Sequence, residues 1–272
     1  MEWHLGFSPC PNDTFIFDAL VNGQIDPGPF RFHLHLEDVQ TLNEWALQGK
    51  LDISKISYGV WPLLQNNYQL LDAGGALGSG VGPLLIARQP IAPGEINRMR
   101  IAIPGRNTTA HLLFSMAFPD ALNKEFLVFH DIENAVLEGR ADAGVIIHEN
   151  RFTYAAKGLV KLVDLGAYWE EQLDCPIPLG GIVVRRSMEP ALASLLNEKI
   201  QESIRWSWKQ YPNLSPFIRE HAQEMDPAVM RQHIELYVNA YSEALGDKGR
   251  KAVQQLEKTF AQVQARSGLS VS

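Results

Sequence analysis

Along the first fifty residues the spacing of hydrophobic and polar positions changes repeatedly, and each change marks an element. Leu5 to Phe7 form a short apolar run that stops at Ser8-Pro9-Cys10-Pro11-Asn12-Asp13. Prolines at 9 and 11 forbid a regular ladder, so a strand ends here, and Asn12 or Asp13 is suited to cap the helix that follows. Phe30, Phe32, Leu34 and Leu36 then alternate with Arg31, His33 and His35, the two-residue period of a half-buried strand, before residues 38–47 turn helical. The chain therefore opens β-α-β-α. A strand is expected over 52–56, a helix over 58–64, and two strands over 68–88 around the glycines between Gly74 and Gly82.

After Ile91-Ala92-Pro93-Gly94 the alternation restarts. It predicts strand 99–103, helix 109–117, strand 126–129, helix 132–137, strand 143–147, a helix from about Asn150, and strands 159–163 and 181–185. From about Pro190 the chain reads as wholly helical. Strands alternating with helices favour largely parallel sheets whose ligands lie outside the carboxyl ends of the strands. Two such sets, one interrupting the other, predict an α/β fold of two lobes. Residues 1–97 and 187–272 form lobe I, with the C-terminal helices, and 98–186 form lobe II, with a ligand cleft between them.

Charge narrows the class of partner. The 31 acidic against 24 basic residues give a formal charge of -7, which disfavours nucleic-acid phosphates and anionic membranes and points to a small molecule. Cys10 and Cys175 make no disulfide framework and no zinc or cluster spacing, which fits a reducing, cytoplasmic setting. No basic leader followed by an apolar stretch opens the sequence, and no run approaches the roughly 18 apolar residues of a membrane span.

Three strand ends carry candidate chemistry. Lys55-Ile56-Ser57 puts a cation and a hydroxyl before a helical stretch, where they would hold an anion; a surface lysine beside a capping serine is the plainer alternative. Pro104-Gly105-Arg106-Asn107-Thr108-Thr109-Ala110 links a strand to a helix, so hydroxyls and free amides would face a carboxylate, unless the threonines only cap the turn. Ile146-Ile147-His148-Glu149-Asn150 ends an apolar strand in an ionisable histidine, placed for a general base but equally open to a structural role.

Other patterns fall short. His33 and His35 share a polar strand face, but no third ligand is indicated along the chain and no metal is assigned. The glycines at 74, 75, 78, 80 and 82 do not make a dinucleotide fingerprint, and no phosphate loop or nucleophile elbow is present, so no cofactor is expected. Cys10, between two prolines, reads as conformational.

Taken together, four segments resemble a known family, the 1,4-dihydroxy-6-naphthoate synthases of the futalosine route to menaquinone. They are Gly6-Phe7-Ser8-Pro9-Cys10-Pro11-Asn12-Asp13-Thr14-Phe15, Lys55-Ile56-Ser57-Tyr58, Pro104 through Ala110, and Ile146-Ile147-His148-Glu149-Asn150-Arg151-Phe152-Thr153-Tyr154. The resemblance extends to Gly74-Gly75-Ala76-Leu77-Gly78 and Tyr237-Val238-Asn239-Ala240-Tyr241, nearly end to end. It implies a fold like the type 2 periplasmic binding proteins, a clamp adapted to catalysis inside the cell. It implies a carbon-carbon lyase that converts cyclic dehypoxanthine futalosine to 1,4-dihydroxy-6-naphthoate and a small sugar-derived fragment, dihydroxyacetone, without a cofactor. Matched by motif, His148 is the base, and Lys55, Ile56, Ser57, Thr109 and Ala110 contact the substrate. Two rival readings share the clamp: a non-catalytic carboxylate-binding protein, which the absence of an export signal weakens, and the related chorismate dehydratase, which is not expected to share the Ile-His-Glu segment. Asn12 and Asp13 occupy a similar strand-end turn, where helix capping accounts for them equally well.

Overall fold

The structure is a computed structural model that describes residues 2–223 and 226–267. Its strands are β1 (Glu2–Phe7), β2 (Arg31–Leu36), β3 (Ile53–Ser57), β4 (Tyr68–Leu70), β5 (Ala76–Gly78), β6 (Leu84–Ala87), β7 (Ile101–Ile103), β8 (Lys124–Phe126), β9 (Ala143–Ile146), β10 (Val160–Asp164) and β11 (Ile177–Arg185). Its helices are α1 (Pro11–Val21), α2 (Val39–Leu47), α3 (Trp61–Leu64), α4 (Thr109–Ala117), α5 (Ile132–Leu137), α6 (Asn150–Thr153), α7 (Leu165–Leu173), α8 (Pro190–Gln210), α9 (Pro216–His221), α10 (Pro227–Tyr237), α11 (Ala240–Glu243) and α12 (Gly246–Ser267).

The strands make two sheets. The first runs β2-β1-β3-β11-β4, with β5 also on β11; the second runs β10-β6-β9-β7-β8. Both are mixed, where largely parallel sheets were expected. β1 is parallel to β2 and β3, and β7 to β8 and β9, but β11 runs antiparallel to β3, β4 and β5, and β6 antiparallel to β9 and β10. A parallel pair needs a crossover helix. No helix separates β4, β5 and β6, so the alternation breaks where the chain changes sheet.

That change also moves the lobe boundaries. β6 belongs to the second sheet and β11 to the first, so the chain crosses at residues 79–83 and 174–176, not near 97/98 and 186/187. A hydrophobic run shows that a strand is buried, not which sheet buries it. Ile91 and Ala92 lead into a short 3-10 turn, Pro93–Arg98, inside the second lobe. At the crossings Gly82 and Gly166 approach backbone to backbone: a Cβ on Gly82 would lie 2.2 Å from Gly166 Cα.

Two local expectations also shift. α7 was not anticipated; Asp164 caps it by accepting from the amides of Gly166 and Ala167. At α1 the cap is Cys10, whose side chain makes no capping bond, with Pro11 in the first helical position. Asn12 and Asp13 thus lie inside the first turn, and both are buried.

The largest apolar cluster joins the lobes, packing Ile56, Tyr58 and Val183 with Leu85, Ile101 and Val145 and with Leu256 of α12. A second lies between β1 and α1, α8 and α10, and a smaller one between β6, β9 and α5. None of the described helices is long and apolar enough to cross a membrane.

Candidate active site

The carboxyl end of β3, the loop after β9, the start of α4 and the first turn of α1 open on one cleft between the lobes. All six residues singled out from the sequence line it: Lys55, Ile56, Ser57, Thr109, Ala110 and His148.

On the first lobe, β3 is buried along its whole length, so Lys55 and Ser57 carry polar groups into an enclosed site. Lys55 is no surface charge. Its Nζ is 2.9 Å from Asp13 Oδ1 and donates to the Gly74 carbonyl at 2.8 Å, with the lysine and aspartate side chains each 4% exposed. Asp13 is further held by Ser8, which donates from N at 3.2 Å and Oγ at 2.7 Å to Oδ2, and by Asn12 Nδ2 at 2.8 Å to Oδ1. Such saturation is what lets a buried ion pair offset its desolvation. Two of the three ammonium protons are engaged, leaving one for a ligand. Ser57 is positioned by Asn43 of α2, which accepts from Ser57 N at 2.9 Å and donates to Ser57 Oγ at 3.1 Å. The serine oxygen is thus an acceptor there, and its own proton is left to donate.

On the second lobe, Thr108 caps α4: its Oγ1 accepts from His111 N at 3.2 Å and donates to the Gly105 carbonyl at 3.0 Å. The Thr109 hydroxyl is committed elsewhere. It donates to the Leu179 carbonyl at 2.8 Å and accepts from Gly59 N at 3.0 Å, tying α4 to the first lobe. What α4 offers a ligand is therefore the amides of Thr109 and Ala110, unpaired as in any first helical turn. Gly59 permits this approach, since a Cβ there would lie 2.6 Å from the Thr108 carbonyl carbon.

His148 follows β9 with φ 55, in the left-handed region that non-glycine residues seldom occupy. Its ring meets Phe129 edge-on at 5.0 Å and stacks 6.0 Å from His233 with 13° between planes. The ring keeps an open side towards the cleft but is otherwise enclosed, and that burial lowers its pKa against the opposing pull of Glu149, Asp13 and Asp38. A neutral imidazole is the result near neutral pH.

His233 of α10 is fully buried, and Asn12 sets its tautomer. Asn12 Nδ2 is spent on Asp13, so Oδ1 accepts from His233 Nε2 at 2.8 Å, and Nδ1 carries the lone pair. Nδ1 stands 3.7 Å from Glu149 Oε2, beyond hydrogen-bond reach, and neither atom has another partner among the described residues. Burial, then the neighbouring His148, drives the His233 pKa well down. Tyr237, one turn on, packs 4.7 Å from His233, and burial pushes its phenol up to about 12. Cys10 is buried with its thiol pKa raised, first by burial and then by Glu149, as suits a conformational residue.

Sequence reasoning missed Asn43 and His233 and left Asp13 as a capping candidate. Asp13 had a visible signal in its strand-end turn. His233 had none, because its partner Asn12 is 221 residues away.

A family model described as menaquinone biosynthesis matches residues 3–262. The 1,4-dihydroxy-6-naphthoate synthase of Thermus thermophilus is 44% identical over 262 residues, covering 96% of this chain and 94% of its own. The enzyme of the same name from Streptomyces coelicolor is 42% identical over 257 residues, 93% and 90% of the two chains. Among solved structures, a protein of Archaeoglobus fulgidus superposes with TM-score 0.90 at 29% identity over 99% of this chain and 98% of that one. The alkanesulfonate-binding protein of Xanthomonas axonopodis pv. citri superposes with TM-score 0.73 at 13% identity over 97% and 93%, a likeness of fold and not of activity.

Proposed function

This chain belongs to the menaquinone biosynthesis family, and on that premise we propose that it is a 1,4-dihydroxy-6-naphthoate synthase, a lyase that cleaves cyclic dehypoxanthine futalosine and releases dihydroxyacetone. The observation that carries the reading is His148, held in a left-handed conformation and facing the cleft with its pKa lowered. A neutral imidazole so placed takes one proton from the substrate and starts an elimination or retro-aldol cleavage. The proton returns to the departing fragment, and aromatisation of the ring supplies driving force. The cleavage is redox-neutral, so one positioned base suffices.

The remaining groups bind and orient. The free proton of Lys55, the Ser57 hydroxyl and the Thr109 and Ala110 amides are the donors for the substrate's carboxylate and oxygens. His233 acts as a positioning residue: anchored through Asn12 to the Asp13–Lys55 pair, it backs the His148 ring and couples the base to the anion site. A cytoplasmic setting suits Cys10 and Cys175, both free thiols.

The test is purified protein incubated with cyclic dehypoxanthine futalosine, with product followed by mass and aromatic absorbance. His148→Ala is expected to lose at least ~10²-fold in kcat while still binding substrate. Unchanged turnover in the variant removes the base. Substrate bound but untouched by wild-type protein turns the reading to a carboxylate-binding clamp.

A further inference from the structure

A second group of histidines lies outside the cleft, on the edge of the first sheet. Parallel pairing of β1 with β2 sets His4 opposite His33, and the two-residue repeat of a strand brings His35 to the same face. The three rings crowd together, with centroids 5.2 Å apart for His4 and His33, 5.3 Å for His4 and His35, and 4.8 Å for His33 and His35. One ring nitrogen from each lies within 4.8 Å of the other two. Nδ1 of His4 and Nε2 of His35 are 3.0 Å apart.

These distances are close to those a metal imposes. Imidazole nitrogens bound at about 2.0–2.1 Å around one ion stand roughly 3.0–3.4 Å from each other. The His4–His35 pair has that separation already, and a nitrogen of His33, an exposed side chain, lies within 4.8 Å of both. The wall behind the group is firm, because Trp45 of α2 meets the His35 ring edge-on at 5.6 Å. The 3.0 Å approach of His4 Nδ1 and His35 Nε2 is a hydrogen bond between the two rings, which a bound ion would replace, and it holds two of the three nitrogens towards one point.

We propose that His4, His33 and His35 form a binding site for a divalent late first-row transition-metal ion, zinc or copper in class, with water completing its coordination. Three neutral imidazoles suit these ions over magnesium or calcium, which take oxygen ligands. The ion would pin the edge strand β2 to β1, the strand that runs on into Ser8 and Asp13. Its effect is therefore on the stability of the first lobe and not on the chemistry of the cleft. His4 could not be recognised from spacing, since only strand pairing brings it to His33 and His35.

The experiment is calorimetric titration of the full-length, metal-stripped protein with ZnCl2, alongside Cu²⁺ quenching of tryptophan fluorescence. One zinc per chain is expected, with affinity falling at least ~10-fold in His33→Ala and in His35→Gln. Saturating zinc should raise the wild-type Tm by about 5 °C and leave the double variant unmoved. Trp45→Phe should remove a share of the copper quench, which places the ion beside α2. His148→Ala should keep the zinc affinity, separating this site from the cleft. Equal Tm of wild type and double variant in EDTA shows that the substitutions leave the fold intact. No saturable zinc binding by wild type, or the same affinity in the double variant, overturns the proposal.

Discussion

His148 and His233 lie stacked beneath the cleft with their protons allotted by Asn12 and by burial, whereas His4 and His33 stand exposed and His35 half-buried at the edge of the first sheet. Both clusters bring imidazoles within 6.0 Å of one another. In the cleft, rings stack and their free nitrogens do not converge; at the edge, the nitrogens point together. Enclosure makes a base out of a histidine, and convergence makes a ligand out of it. Composition cannot tell these apart, because the difference lies in what each ring faces.

The comparison can be broken most forcefully at Lys55. Lys55→Met strands the Asp13 carboxylate in a site built to hold a charge pair, and a loss of about 3 kcal/mol is expected in urea unfolding. An unchanged midpoint would mean that Ser8 and Asn12 alone hold the aspartate. Next comes a matched pair. His233→Gln disturbs a buried bond to Asn12 and should cost about 1–3 kcal/mol. The metal-free His33→Gln protein, altered at an exposed ring, should stay within about 0.5 kcal/mol of wild type. Equal losses at the two positions would erase the distinction drawn from burial.

A further contrast lies in pH dependence. His148 and His233 have lowered pKa values, and burial takes His111 down to about 4. In the unfolded chain these groups protonate near the ordinary value of about 6.5. Below that pH the unfolded state binds more protons than the folded one, so the contribution is complete above pH ~6.5 and declines as pH falls towards 4. Urea midpoints measured across this window should fall with acidification, and less steeply in His233→Gln. A flat wild-type profile would contradict the burial of these rings.

The sequence made some of this legible and hid the rest for identifiable reasons. The helices at Thr109–Ala117 and Ile132–Leu137 emerge with the bounds expected of them; the Thr108 side chain caps the first, while the second has no side-chain capping bond. The six proposed site residues all line the cleft, because they lie in the last three residues of β3, at the start of α4 and just past β9, and such positions meet where sheets meet. Sheet membership was not legible: β6 and β11 are apolar runs like their neighbours, and pairing is decided by partners distant in the chain. Roles within the site were only partly so. Thr109 looked like a donor to substrate, yet its hydroxyl is spent between Leu179 and Gly59, and only its amide remains.

That last contact has a mechanical meaning. Where α4 crosses the end of β3, the separation of the two lobes is gauged by the hydrogen of Gly59, with backbone on the far side and no flexible side chain to yield. One methyl at this point is a wedge: it would widen the slot at its floor, lengthen the stitch made by Thr109, and draw the anion-holding amides of one lobe away from Ser57 of the other. The gap that receives the substrate is thus set by an atom too small to be replaced.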